Sequence, residues 1–259
     1  MQICIMIPCF NEAETLSKTI EALQSFSSHD NAPFLLLIDD GSTDGSATIA
    51  KSMGIDHVIR HDKNKGLAEV FKTGLRFARD HGFDALVVFD ADGQYPAFEI
   101  PRLLAKLESS EASLVIGNRD RLLDKNLNRT KKTLLTFGSW LLSKCFRSKP
   151  IDLVSGFRVF RLSDFAHFPA KATYTYTLET LIWSLLRGLK LETINIVTEK
   201  VDRPSRLMKS TFDYLWRQIC DVFRWLPSAL NTRLKIRHRT AKVNAKTRDA
   251  LRKVASLFF

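Results

Sequence analysis

Apolar residues fall along this chain in two alternating patterns. Residues 2–8, 34–38, 86–89 and 113–117 are short, nearly unbroken runs rich in Ile, Leu, Val, Met and Phe. Runs of this length and branching read as strands buried on both faces. Between them, apolar positions recur at steps of three or four. Residues 11–26 read as a helix, with Leu16, Ile20 and Leu23 on one face. Residues 43–53 and 100–109 read as further helices, 57–60 as a short strand. Residues 66–81 form a long helix with Val70, Leu75, Phe77 and Ala78 available for packing. Strands and helices alternating at this spacing predict a parallel sheet with helices on both faces.

The alternation loosens after Asn118. Residues 120–132 are charged and read as a loop. Residues 133–146 read as an amphipathic helix carrying Leu134, Phe137, Trp140 and Leu141. Strands are expected at 159–161 and 194–198, with a helix at 178–187. Residues 211–226 place Phe212, Leu215, Trp216, Ile219, Phe223 and Leu226 on one stripe, with Arg217 and Arg224 off it. Such a helix either packs on the domain or lies in a membrane interface, where Trp and Arg are both favoured. The chain thus divides into a main domain, 1–210, and an appendage, 211–259, of amphipathic helix and basic tail.

Charge sharpens that division. Residues 1–202 are balanced, with 25 Lys and Arg against 25 Asp and Glu. Residues 203–259 hold 14 Lys and Arg against Asp213, Asp221 and Asp249, so the whole +11 lies there. The partner implied is an anionic surface, either lipid or nucleic acid. No aromatic-rich strands flank the tail, which argues against single-stranded nucleic acid, and no nucleic acid is expected. No apolar run approaches the roughly 20 residues that cross a bilayer. The first 15 residues lack the basic start of a signal peptide. Cys4, Cys9, Cys145 and Cys220 form no paired framework, as in a reducing compartment. A cytoplasmic protein, peripheral on the cytoplasmic face of a membrane, is expected.

The chemistry is legible at strand ends. Asp90-Ala91-Asp92-Gly93-Gln94 follows the run Leu86 to Phe89. Side chains two apart on extended backbone point the same way, so Asp90 and Asp92 converge, with Gln94 at the turn. Hard carboxylate oxygens suit Mg²⁺ or Mn²⁺, and a thinly held divalent ion commonly shares its shell with a diphosphate. Three other strand ends carry related features. Ile7-Pro8-Cys9-Phe10-Asn11-Glu12 ends a strand at a proline and a carboxylate. Ile38-Asp39-Asp40-Gly41-Ser42 offers a carboxylate to the imide edge of uracil or guanine. Asn64-Lys65-Gly66-Leu67 opens a helix with N–H groups turned toward a ligand. Each has a turn or cap explanation alone; all four lie on successive βα units, where open α/β sheets collect ligands.

With these segments the chain resembles an inverting family 2 glycosyltransferase of the GT-A fold, Rossmann-like with a mostly parallel sheet. Within that family it is most similar to dolichol-phosphate mannose synthases and bacterial polyprenyl-phosphate glycosyltransferases. The likeness covers about residues 1–226 and includes Gly117-Asn118-Arg119. Residues 152–158 (Asp-Leu-Val-Ser-Gly-Phe-Arg), 176–181 (Tyr-Thr-Leu-Glu-Thr-Leu) and the Arg203-to-Lys209 spacing point to the polyprenyl-phosphate branch. The resemblance implies that Pro8, Phe10, Glu12, Ile38 and Asp40 hold base and ribose, with Lys65, Gly66 and Ala91 lining the nucleotide sugar. Phe10 stands where the family often has Tyr. The resemblance makes Asp90, Asp92, Arg203 and Lys209 the catalytic set: Asp90, Asp92 and Gln94 hold the metal, while Arg119, Arg203 and Lys209 neutralise phosphates. Arg129, Lys132, Thr136 and Glu179 are left for the acceptor, with Lys132 and Thr136 replacing a family Arg and Ser.

A polyprenyl phosphate is already anionic and needs no base to attack. The hard step is stabilising the departing nucleoside diphosphate, the work of a metal and fixed cations. The expected activity is therefore transfer, with inversion, from a GDP- or UDP-sugar to polyprenyl or dolichyl phosphate. A rival enzyme would extend a cell-surface glycan on a hydroxyl, with Glu179 as base. A rival of another class is a catalytically silent basic module that binds membrane or nucleic acid. The basic appendage, or a small membrane subunit, would hold the enzyme at the lipid.

Overall fold

The structure, a computed structural model, describes residues 1–25, 32–119, 151–199, 217 and 220. Seven strands form one sheet: β1 Ile3–Cys9, β2 Phe34–Asp39, β3 His57–Arg60, β4 Ala85–Val88, β5 Leu114–Arg119, β6 Arg158–Arg161 and β7 Leu191–Ile196. The helices bounded within the described residues are α1 Ala13–Gln24, α2 Ser46–Ser52, α3 Leu67–Asp80, α4 Ile100–Ser109 and α5 Tyr176–Arg187, with a 3₁₀ turn at Ala97–Glu99 before α4. The strand order is β3-β2-β1-β4-β6-β5-β7.

Alternation along each strand sends side chains to opposite faces, and each face has its own core. Cys4 and Met6 of β1, Leu36 and Ile38 of β2, and Leu86 and Val88 of β4 pack with Phe71 and Leu75 of α3 and Leu181 and Trp183 of α5. Ile5, Ile7, Leu35, Leu37, Ala85 and Val87 face the other way, onto Leu16, Ile20 and Leu23 of α1 and Leu103 and Leu107 of α4. The apolar runs are unbroken because both faces are covered.

The sheet is mostly parallel, as expected, and departs from that at one strand. β6 is inserted between β4 and β5 and runs antiparallel to both, so the sheet is mixed. Nothing in the four residues Arg-Val-Phe-Arg encodes direction; the chain returns to β4 after leaving β5. The last strand also lies earlier than the 194–198 expected, at Leu191–Ile196. There it pairs parallel with β5 from Leu114↔Leu191 to Arg119↔Ile196. Helices α1 and α2 begin two or three residues later than expected, because residues 11–12 and 43–45 belong to interlocked loops. The loop expected at 120–132 and the helix at 133–146 lie outside the described residues. Of the helix expected at 211–226, Arg217 and Cys220 are described as helical. The Arg217 guanidinium lies 5.6 Å from the Tyr174 ring centre.

Candidate active site

The carboxyl ends of β1, β2 and β4 adjoin, and the loops that leave them are joined side by side. Asn11 N donates to Ser42 Oγ at 2.8 Å, Glu12 N to Ser46 Oγ at 3.0 Å and Ala13 N to Asp44 Oδ2 at 2.9 Å. Asn11 has φ 56°, a left-handed turn that Asn tolerates. Thr15 and Thr19 of α1 donate to the Ala91 carbonyl at 2.9 and 3.3 Å, tying that helix to the Asp90–Asp92 loop. Three segments distant in sequence thus meet in one bed.

Asp90 and Asp92 are held in different ways. Asp92 Oδ1 accepts from Gln94 N at 3.0 Å, and Gly93 takes φ 72° to close this turn. Among the described residues the Asp90 carboxylate accepts no hydrogen bond. Desolvation, then the Asp92 charge, raise its pKa to about 7; Arg119 opposes this and Glu12 adds to it. Other buried carboxylates have partners: Asp39 Oδ1 takes Ser42 N while its Oδ2 pairs with Arg60 Nε at 3.2 Å, Asp152 takes Arg119, and Glu179 takes two backbone N–H groups. A bare, half-buried carboxylate beside a second one fits a divalent cation, which removes the charge penalty that burial creates. Among the described residues no group of three or more His, Cys, Asp or Glu side chains forms a metal cage. An ion held by Asp90 and Asp92 would have room in its shell for oxygens of a bound ligand.

This predicts a pH dependence. A carboxyl whose folded pKa is raised favours the fold most below its unfolded pKa of about 3.9, and that contribution is lost as pH rises through about 7. A metal binds the ionised form and displaces the proton. Stabilisation by Mn²⁺ in thermal unfolding should therefore be larger at pH 8 than at pH 6. An equal shift at both values would contradict the assignment.

Asp40 is 3% exposed, and its carboxylate gathers donors from the next loop. Oδ1 accepts from Lys65 N at 2.9 Å and lies 2.7 Å from His61 Nδ1, while Oδ2 accepts from Gly66 N at 2.8 Å. His61 Nε2 lies 3.0 Å from Thr73 Oγ1. The N–H groups expected to face a ligand at Lys65 and Gly66 thus face Asp40. The Lys65 ammonium pairs at the surface with Asp62 at 2.8 Å. Ile38 is fully buried in the sheet core, and Pro8, its register partner on β1, is half-buried. Phe10 and Glu12 sit half-buried on the loop after β1.

Arg119 ends β5 and faces Asp152 through Nε at 2.7 Å, in a pair nearly closed to solvent. Glu179 is 3% exposed, and its oxygens accept from Lys171 N at 2.6 Å and Ala172 N at 3.0 Å. Arg129, Lys132, Thr136, Arg203 and Lys209 lie outside the described residues. Sequence reasoning missed Tyr95, Gly156 and Tyr176 as members of this site. An added Cβ on Gly156 would sit 2.7 Å from Asp90 Oδ2, and the two tyrosine hydroxyls bond the Gly156 peptide. The Ser-Gly-Phe-Arg segment was visible, but its place depends on the reversed strand β6.

Residues 4–168 match a protein family described as glycosyl transferase family 2. An undecaprenyl-phosphate mannosyltransferase of Micrococcus luteus is 29% identical over 167 residues, covering 62% of this chain and 67% of that protein. A UDP-N-acetylglucosamine–dolichyl-phosphate N-acetylglucosaminyltransferase of Methanococcus voltae is 29% identical over 182 residues, covering 62% and 70%. Among solved structures, a glucosyl-3-phosphoglycerate synthase of Mycobacterium tuberculosis matches with TM-score 0.66 and 20% identity, covering 88% of this chain and 79% of that one. That enzyme was crystallised with Mn²⁺, UDP and glucosyl-3-phosphoglycerate. At this identity the likeness shows a shared fold.

Proposed function

Since the chain belongs to glycosyl transferase family 2 and is a glycosyltransferase, we propose that it moves a sugar from a nucleotide sugar to a phosphate-bearing acceptor with a divalent metal. The observation that carries this reading is the Asp90 carboxylate, which beside Asp92 at the end of β4 accepts no hydrogen bond among the described residues. A metal there, when bound, neutralises charge on the departing diphosphate. Asp92 is aimed by the Gln94 turn. Asp40 orders the 64–66 loop against the donor side. Arg119, oriented by Asp152, contributes positive charge near Asp90.

Two acceptor forms have support. A hydroxyl on a small phosphate ester has the broader structural backing, because the Mycobacterium tuberculosis enzyme that holds glucosyl-3-phosphoglycerate matches 88% of the chain. Polyprenyl phosphate is supported by curated relatives over 62% of it. A hydroxyl needs a base. Glu179 could serve only after leaving the Lys171 and Ala172 N–H groups that hold it. The test offers purified protein UDP- and GDP-sugars with phosphoglycerate, polyprenyl phosphate or a neutral glycan. Product on one of the phosphate acceptors is expected; product on the neutral glycan alone would overturn the phosphate requirement.

Membrane attachment belongs to the polyprenyl form of the proposal. Among the described residues no helix is long and apolar enough to cross a membrane. Each Lys or Arg near an anionic surface contributes about 1 kcal/mol, so the basic region 203–259 would suffice for peripheral binding. Deleting 231–259 should reduce co-sedimentation with anionic vesicles. Equal sedimentation of both forms would remove the tail as the anchor.

A further inference from the structure

Gly156 lies under the Asp90 carboxylate for a reason set by register. β4 and β6 pair antiparallel from Ala85↔Arg161 to Val88↔Arg158. Continued two residues beyond the strand ends, that register puts Gly156 opposite Asp90. A Cβ at 156 would stand 2.7 Å from Asp90 Oδ2 and 3.3 Å from Oδ1. Contacts below 3.0 Å require something to shift, and the side chain in the way is short. Among the described residues no hydrogen bond orients the Asp90 carboxylate, so packing helps set its position, and the bare Cα of Gly156 forms one wall.

That wall is itself fixed from both sides. Tyr176 Oη donates to the Gly156 carbonyl at 2.7 Å, and the Gly156 N–H donates to Tyr95 Oη at 3.3 Å. Both rings are almost fully buried. Tyr176 stacks on Phe71 with ring centres 4.2 Å apart, and Tyr95 packs on Phe157 at 5.2 Å. The turn before Gly156 is held by the buried Arg158, whose Nε donates to the Ser155 carbonyl at 2.9 Å and whose Nη2 donates to the Leu153 carbonyl at 3.3 Å. Nη1 of the same guanidinium donates to the Thr177 carbonyl and Thr180 Oγ1 on α5.

We propose that Gly156 is a positioning residue for the metal-binding carboxylate of Asp90, and that the Tyr95 and Tyr176 hydroxyls act through it. The proposal rests on the metal-dependent reading above and goes beyond it: α5 and the loop after Asp92 set the metal ligand's geometry without touching the metal. Outer groups that orient a ligand typically cost about 10–100-fold in metal affinity when changed. Gly156→Ala should therefore weaken Mn²⁺ binding by about tenfold or more. Tyr176→Phe keeps the ring and removes the donor, so it should weaken binding several-fold while the fold persists.

The measurement is Mn²⁺ titration followed by electron paramagnetic resonance of the free ion, with saturating UDP and, separately, GDP. Circular dichroism and thermal unfolding of each variant accompany it. Weaker Mn²⁺ binding in folded Gly156→Ala and Tyr176→Phe supports the proposal; should Gly156→Ala not fold, Tyr176→Phe and Tyr95→Phe decide. Lower melting temperatures with unchanged Mn²⁺ affinity would show a merely structural role and overturn it. Failure of the unaltered protein to take up Mn²⁺ with either nucleotide would overturn the metal reading and this inference together.

Discussion

Asp92→Ala should reduce sugar transfer by about a thousandfold, the upper end of what removing one preorganised electrostatic group costs, while leaving the fold intact. Asp92 is half-buried, and its described hydrogen bond is the local one from Gln94 N. Losing a bond of that kind costs about 1 kcal/mol of stability. Its charge, by contrast, helps raise the pKa of Asp90 and completes the carboxylate pair at the end of β4. The variant should bind Mn²⁺ poorly and turn over at the limit of detection. Turnover within a few-fold of the unaltered protein would remove Asp92 from the chemistry.

Gly41→Ala should have the largest effect on stability. Gly41 has φ +78°, and a Cβ there would meet Lys63 C, Lys63 Cα and Asn64 N at 2.7, 2.8 and 2.9 Å. All three are backbone atoms, so no side-chain rotation relieves the clash. A non-glycine residue in the left-handed region costs about 1–3 kcal/mol before any clash is counted. The loop that must retreat delivers the Lys65 and Gly66 N–H groups to Asp40, so the donor side is loosened at the same time. A total loss on the order of 3 kcal/mol, at the high end for single substitutions, should appear in urea unfolding, with a raised KM for the donor. Unchanged unfolding would mean that the 63–66 loop is not pinned on Gly41.

Much of this was legible in residue patterns. The run Leu86 to Phe89 and the alternate carboxylates after it located the end of β4. The apolar runs marked β1, β2 and β5 because burial on both faces removes polar residues from a strand. What could not be read was direction and long-range pairing. β6 is four residues long, and its reversal depends on how the chain returns from β5 to β4. The Gly156–Asp90 contact exists only through that reversal, so a glycine packed against the Asp90 carboxylate reads as an ordinary motif residue. Asp40 is legible as a strand-end carboxylate, but its capture of His61 and two N–H groups, 21 to 26 residues further on, is not. Glu179 reads from the sequence as an acceptor-side carboxylate and as the base of a rival hydroxyl-acceptor enzyme, while its buried bonds to Lys171 N and Ala172 N come from a turn with no periodic signature.

The central claim, metal-dependent transfer from a nucleotide sugar at the Asp90–Asp92 pair, is tested most directly by stripping purified protein with EDTA. Transfer of labelled sugar from UDP- and GDP-sugars to the phosphate acceptors is then followed before and after adding back Mn²⁺ or Mg²⁺. The account predicts no product in chelator and recovery on adding metal, with no recovery in Asp92→Ala. Full turnover in excess EDTA, or recovery in Asp92→Ala equal to that of the unaltered protein, would contradict it.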